Sequence, residues 1–98
     1  MPSLSQIAQN SATVTVQWGG LDWTIEYRPG TLTDANLALI DGGFDQNNQA
    51  IVAIVKSWDI TESDGVTPFP LDVARLPEVP YMLKVAILRG VVRDARPN

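Results

Sequence analysis

Apolar residues fall on every second position from Ala12 onward. Val14, Val16 and Trp18 share one face while Thr13, Thr15 and Gln17 share the other, which is the period of a half-buried strand. Gly19-Gly20 supplies the positive φ angles of a two-residue hairpin turn. Alternation then resumes, with Leu21, Trp23, Ile25 and Tyr27 set against Asp22, Thr24, Glu26 and Arg28. The pattern predicts a β-hairpin whose apolar face combines Trp18, Trp23 and Tyr27 with β-branched neighbours, the cross-strand pairing that stabilises a sheet. A hairpin alone is marginal in water, so this face needs helices or a further strand against it. Arg28-Pro29-Gly30 ends the second strand, because proline lacks the ladder donor and glycine permits the turn.

Beyond the hairpin the period becomes helical. Thr33 is placed to cap a short helix running through Ile40, with Asp34 in its first turn, where the helix dipole favours an anion. Asp41-Gly42-Gly43 stops it. A second helix is predicted from Asp45–Asn48, placing Ile51, Ile54, Val55 and Trp58 at i, i+3, i+4 and i+7 as a core face; the Asn and Gln residues before that face read as ordinary first-turn polar residues. Asp59 to Thr67 reads as a polar loop, although Trp58 to Thr61 also suits a short edge strand. Phe69, held extended between Pro68 and Pro70, is expected to reach the core. Asp72 caps one turn through Leu76. Pro77 and Pro80 fit the opening of a last helix whose C-terminal end is favoured by Arg89, Arg93 and Arg96. The fold class is therefore α+β: an N-terminal β-hairpin, with a possible third short strand, packed on three to four helices. Residues 1–11 are read as a flexible N-terminal arm and residues 12–98 as a single small domain.

The last helix holds more apolar surface than so small a domain is expected to cover. At 100° per residue, Tyr81, Val85, Leu88 and Val92 form one stripe, and Leu83, Ile87 and Val91, with Ala86 and Gly90, form another. Lys84 and the arginines separate them. Each aliphatic side chain left in water forgoes roughly 1.5–3 kcal/mol, so Tyr81, Leu83, Val85, Ile87, Leu88, Val91 and Val92 are the candidate partner-binding residues, for a second copy or another protein. The alternative is that the short first helix and the Pro68–Pro70 link wrap over the second stripe within the monomer.

Composition narrows the chemistry. The 98 residues contain neither cysteine nor histidine, which excludes disulfides, thiolate or imidazole metal sites, and Ser-His or Cys-His nucleophile pairs. Eleven acidic against seven basic side chains give a net charge of −4, the wrong sign for neutralising phosphates, so no nucleic-acid partner is expected. Met1 to Asn10 lacks the layout of a signal peptide, and the longest apolar runs fall far short of the roughly 20 residues that span a bilayer. The chain reads as soluble and cytosolic, with no membrane partner.

The remaining polar groups do not assemble a reaction centre. Asp59, Glu62 and Asp64 share one loop, but neither Asp41–Val52 nor Asp59–Pro70 ends on the glutamate an EF-hand loop requires, and the cluster reads as a solvated acidic turn. Asp41-Gly42-Gly43 lacks phosphate-loop spacing. Trp18, Trp23 and Tyr27 would be a stacking platform only if they faced solvent. Ser57 and Ser63 have no base. No catalytic residue, metal ligand or cofactor is assigned, and the chain is expected not to be an enzyme.

Trp58-Asp59-Ile60-Thr61 with its acidic turn, then Pro70-Leu71, Leu76-Pro77 and a closing apolar helix, resembles the small tail assembly chaperones encoded among the tail genes of long-tailed bacteriophages. Val16-Gln17-Trp18-Gly19-Gly20, followed by Ile25-Glu26-Tyr27-Arg28-Pro29-Gly30, is similar to the start of such proteins. The resemblance implies a protein that shields the tape-measure protein and assists tail-tube assembly in the host bacterial cytoplasm, and that is absent from the finished virion. The helix Tyr81 to Val92 would be its association surface, in a helix-in-groove mode. Members of that family are often largely helical, whereas this chain opens with a hairpin. The alternatives are a structural tail or neck protein retained in the virion, and a small acidic inhibitor of a host protein.

Overall fold

The computed structural model describes residues 10–95; the expected arm, residues 1–11, falls almost wholly outside them, as does Arg96. Strands β1 (Ala12–Trp18) and β2 (Leu21–Tyr27) form the expected hairpin. Their antiparallel register runs from Ala12 opposite Tyr27 to Trp18 opposite Leu21. Gly19 and Gly20 take φ values of 65° and 79°, the left-handed pair that lets a two-residue turn follow the twist of its strands. The Trp23 indole N–H donates to the Trp18 carbonyl at 3.0 Å.

A 3-10 turn at Pro29–Thr31 leads into helix α1 (Asp34–Ile40). Thr33 caps it as expected, its hydroxyl accepting from the Asn36 N–H at 3.3 Å. Helix α2 (Phe44–Ile54) begins after Gly43, whose N–H donates to the Gln46 side chain at 3.1 Å. The expectation that this helix continues through Trp58 is corrected: it stops at Ile54, and Val55–Trp58 is strand β3. β3 adds antiparallel to β2, Ile25 opposite Trp58 and Tyr27 opposite Val55, with an irregularity at Glu26/Tyr27. The sheet order is β1-β2-β3. The physical reason is that β2 would otherwise present unpaired N–H and C=O groups beside the core. Val55 and Trp58 suit a strand, and that demand outweighs one more helical turn.

The third strand thus ends on Trp58, the first residue of the Trp58–Thr61 segment considered for it. Thr61 instead makes an isolated antiparallel bridge with Pro68. Phe69 is buried as expected, with its carbonyl accepting from the Trp58 indole at 2.9 Å. A second 3-10 turn, Leu76–Glu78, contains Pro77, so Pro80 alone opens helix α3 (Tyr81–Ala95). The result is an α+β domain of one three-stranded antiparallel sheet and three α-helices among the described residues.

The core gathers Ile25, Tyr27, Ile51, Ile54, Leu76, Ile87, Leu88 and Val91, all fully enclosed. α3 packs on β1 at Gly90, where an added Cβ would come within 2.9 Å of the Val16 methyl. A side chain at 90 would require Val16 or the helix to shift. No helix among the described residues is long and apolar enough to cross a membrane.

Candidate protein-binding groove

The two stripes of α3 meet different fates. Leu83, Ile87 and Val91 are buried against the chain's own core, and so is Leu88 from the other stripe. The expectation that these four face a partner is corrected: hairpin and α2 together cover a wider arc of α3 than a hairpin alone. Tyr81, Val85 and Val92 remain at the surface or half-buried. With Leu37 and Ile40 of α1 they line a groove of about 740 Å³, floored by Leu88 and Asn47 and edged by Asp41, Arg89 and Arg93. Phe44, 68% exposed, sets its ring edge-on to that of Tyr81 at 4.9 Å. A smaller groove of about 570 Å³ runs along β1 on the other side of Val85, Arg89 and Arg93, which line both, and exposed Met82 lines it with Val16 and Trp18.

The wall formed by α1 is only seven residues long, too short to hold itself in place. Asn47 fixes it. From the first turns of α2 its amide donates to the carbonyls of Leu39 and Ile40 at 3.0 and 2.9 Å, at the helix end where acceptors lack intrahelical partners, Leu39 also accepting from the Gly42 N–H at 3.2 Å. Asn36 adds a bond to the Thr31 carbonyl at 2.7 Å. Asn48, also buried, accepts from the Lys84 ammonium at 2.7 Å, and Lys84 donates again to the Leu76 carbonyl at 3.0 Å. Burial pushes the Lys84 ammonium below its ordinary pKa, since no carboxylate among the described residues comes within 4.0 Å of it. Lys84 lines neither groove; it joins α3 to α2 and to the Leu76–Glu78 turn.

Reading the Asn residues as ordinary first-turn polars, and Lys84 as a boundary between stripes, therefore missed three interior groups. The signal was in the spacing. Asn47 and Asn48 precede Ile51 by four and three residues, and Lys84 precedes Ile87, Leu88 and Val91 by three, four and seven, so all three stand on apolar faces.

The acidic loop lies at the surface as expected, Asp59 and Asp64 exposed and Glu62 partly buried, and its carboxylates are also hydrogen-bonded within the chain. Asp59 accepts from the Thr24 N–H at 3.0 Å. Glu62 and Glu78 both hold Arg75, whose guanidinium lies 4.9 Å from the centre of the Phe69 ring. Asp64 accepts from the Thr67 hydroxyl at 2.6 Å and from the N–H groups of Val66 and Thr67 at 2.8 and 2.9 Å. These bonds, the hydroxyl's first, hold its carboxyl below the usual carboxylate range. No group of three or more acidic side chains able to hold a metal ion occurs among the described residues. Of the proposed aromatic platform, Tyr27 is buried and Trp18 and Trp23 are half-buried.

No protein family, curated protein or solved structure matches the chain.

Proposed function

We propose that the protein is a non-catalytic tail assembly chaperone of a long-tailed bacteriophage, which shields the tape-measure protein and assists tail-tube assembly in the host cytoplasm by holding a helical segment of its client. The groove between α1 and α3 carries the reading. Its lining combines the apolar Leu37, Ile40, Tyr81, Val85, Leu88 and Val92 with a polar share, and the exposed Phe44 stands edge-on beside Tyr81, features that suit an amphipathic helix laid into a trench. Its polar lining consists of Asp41, Asn47, Arg89 and Arg93, with the Asn47 amide already bonded to α1, so no general base stands beside a nucleophile. The similarity of the Trp58–Thr61 and Val16–Gly20 segments to such chaperones supports the phage assignment.

Co-expression with the tape-measure protein of the same phage tests this. The wild-type chain is expected to keep the client in the soluble fraction, and Val85→Asp, which places a charge in the groove, is expected to lose it. Client that stays equally soluble with either form overturns the reading, and a stoichiometric signal in purified virions favours a structural tail or neck protein.

A further inference from the structure

We infer that the groove selects a helix whose apolar stripe is bordered by carboxylates; this deepens the binding role proposed above and rests on it. The chain carries seven cationic and eleven acidic side chains, so most cations are expected to have partners. Arg75 lies between Glu62 and Glu78, Lys56 lies 3.9 Å from Glu26, and Lys84 is buried. Arg28, just after β2, also has no carboxylate within 4.0 Å among the described residues, but it lines neither groove. Arg89 and Arg93 differ in position. Both are exposed on the rim, and among the described residues neither has a carboxylate within 4.0 Å. Asp94, the residue after Arg93 in α3, accepts from Tyr27 instead. Asp41 is the one carboxylate of the lining. Two guanidiniums with no carboxylate partner among the described residues, at the edge of a partly apolar groove in an acidic protein, complement an acidic border.

Spacing defines the guest further. From Tyr81 to Val92 the α3 wall runs for about 16 Å, three helical turns. Arg89 and Arg93 are one turn apart, the separation at which carboxylates four residues apart on a guest helix stand.

Calorimetric titration of the full chain with two synthetic helical peptides tests this. Both peptides have about 18 residues, or five turns, and carry the same leucine stripe; one has glutamates flanking it and the other lysines. The glutamate peptide is expected to bind roughly tenfold tighter at low salt, with the preference shrinking as salt rises. Combined Arg89→Glu and Arg93→Glu is expected to invert the order, with circular dichroism checking the fold; Arg89→Gln with Arg93→Gln should erase the preference. Equal affinities, or a preference that survives these changes, overturn the charge inference and leave the apolar groove standing. If neither peptide binds, or if Val85→Asp leaves binding intact, the groove reading itself falls.

Discussion

Tyr27 ends β2 inside the core, and its hydroxyl reaches Asp94 at 2.6 Å, linking the hairpin to the last turns of α3. Burial, with the hydrogen bond to Asp94 and its charge, raises the phenol from 10.0 to about 12. The folded state thus holds this proton more tightly than the unfolded chain, and the resulting stability is complete below pH 10 and lost as pH rises through about 12. Two pH units correspond to about 2 to 3 kcal/mol. Tyr27→Phe should cost about 1 to 2 kcal/mol at neutral pH through the lost bond and should remove Tyr27's contribution to the alkaline decline. Urea unfolding of both proteins between pH 8 and pH 12 checks this, and a decline unchanged in the variant would place its origin elsewhere. Lys84 acts with the opposite sign. Its lowered pKa imposes a cost on the folded state at low pH that is relieved as pH climbs toward 10.5.

At the scale of elements, the sequence was legible wherever local chemistry and tertiary demand agreed. Period-two alternation around Gly19-Gly20 defines the hairpin, and Thr33 marks the start of α1, because in each case the signal lies within a few residues of the structure it specifies. Ile51, Ile54, Val55 and Trp58 were misleading because their spacing satisfies a helix while β2, far away in sequence, needs a strand partner. The groove was half legible: its α3 residues stand out by composition, but the α1 wall depends on Asn47, whose role exists only after α1 and α2 have turned against each other. Asn47→Ala should therefore cost about 1 to 3 kcal/mol by leaving the Ile40 carbonyl without its side-chain donor and the Leu39 carbonyl with only the backbone bond from Gly42. The loss should concentrate in α1, seen as faster amide exchange there than in α3, together with weaker peptide binding. Uniformly faster exchange across the domain would instead make Asn47 a general core residue.

For the molecule as a whole, the question raised by its apolar C-terminal helix is how much of that surface the monomer leaves over. Ile87 has no exposed surface, whereas Tyr81 is 42% exposed and Val85 lines the groove. Positions two residues apart on one helix therefore answer to different demands, one to folding and, on the proposed reading, the other to binding. Ile87→Asp forces an unpaired carboxylate into the core and should destabilise by more than about 4 kcal/mol, enough to unfold a domain of this size. Val85→Asp places the same group at a wetted rim facing Arg89, one turn along, and should cost no more than about 1 kcal/mol. Denaturation midpoints beside peptide affinities separate the two: Ile87→Asp loses both, and Val85→Asp loses affinity alone. If Val85→Asp also unfolds the chain, α1 covers α3 more tightly than an open groove allows, and the surface available to a client shrinks to Phe44, Tyr81 and the arginine rim.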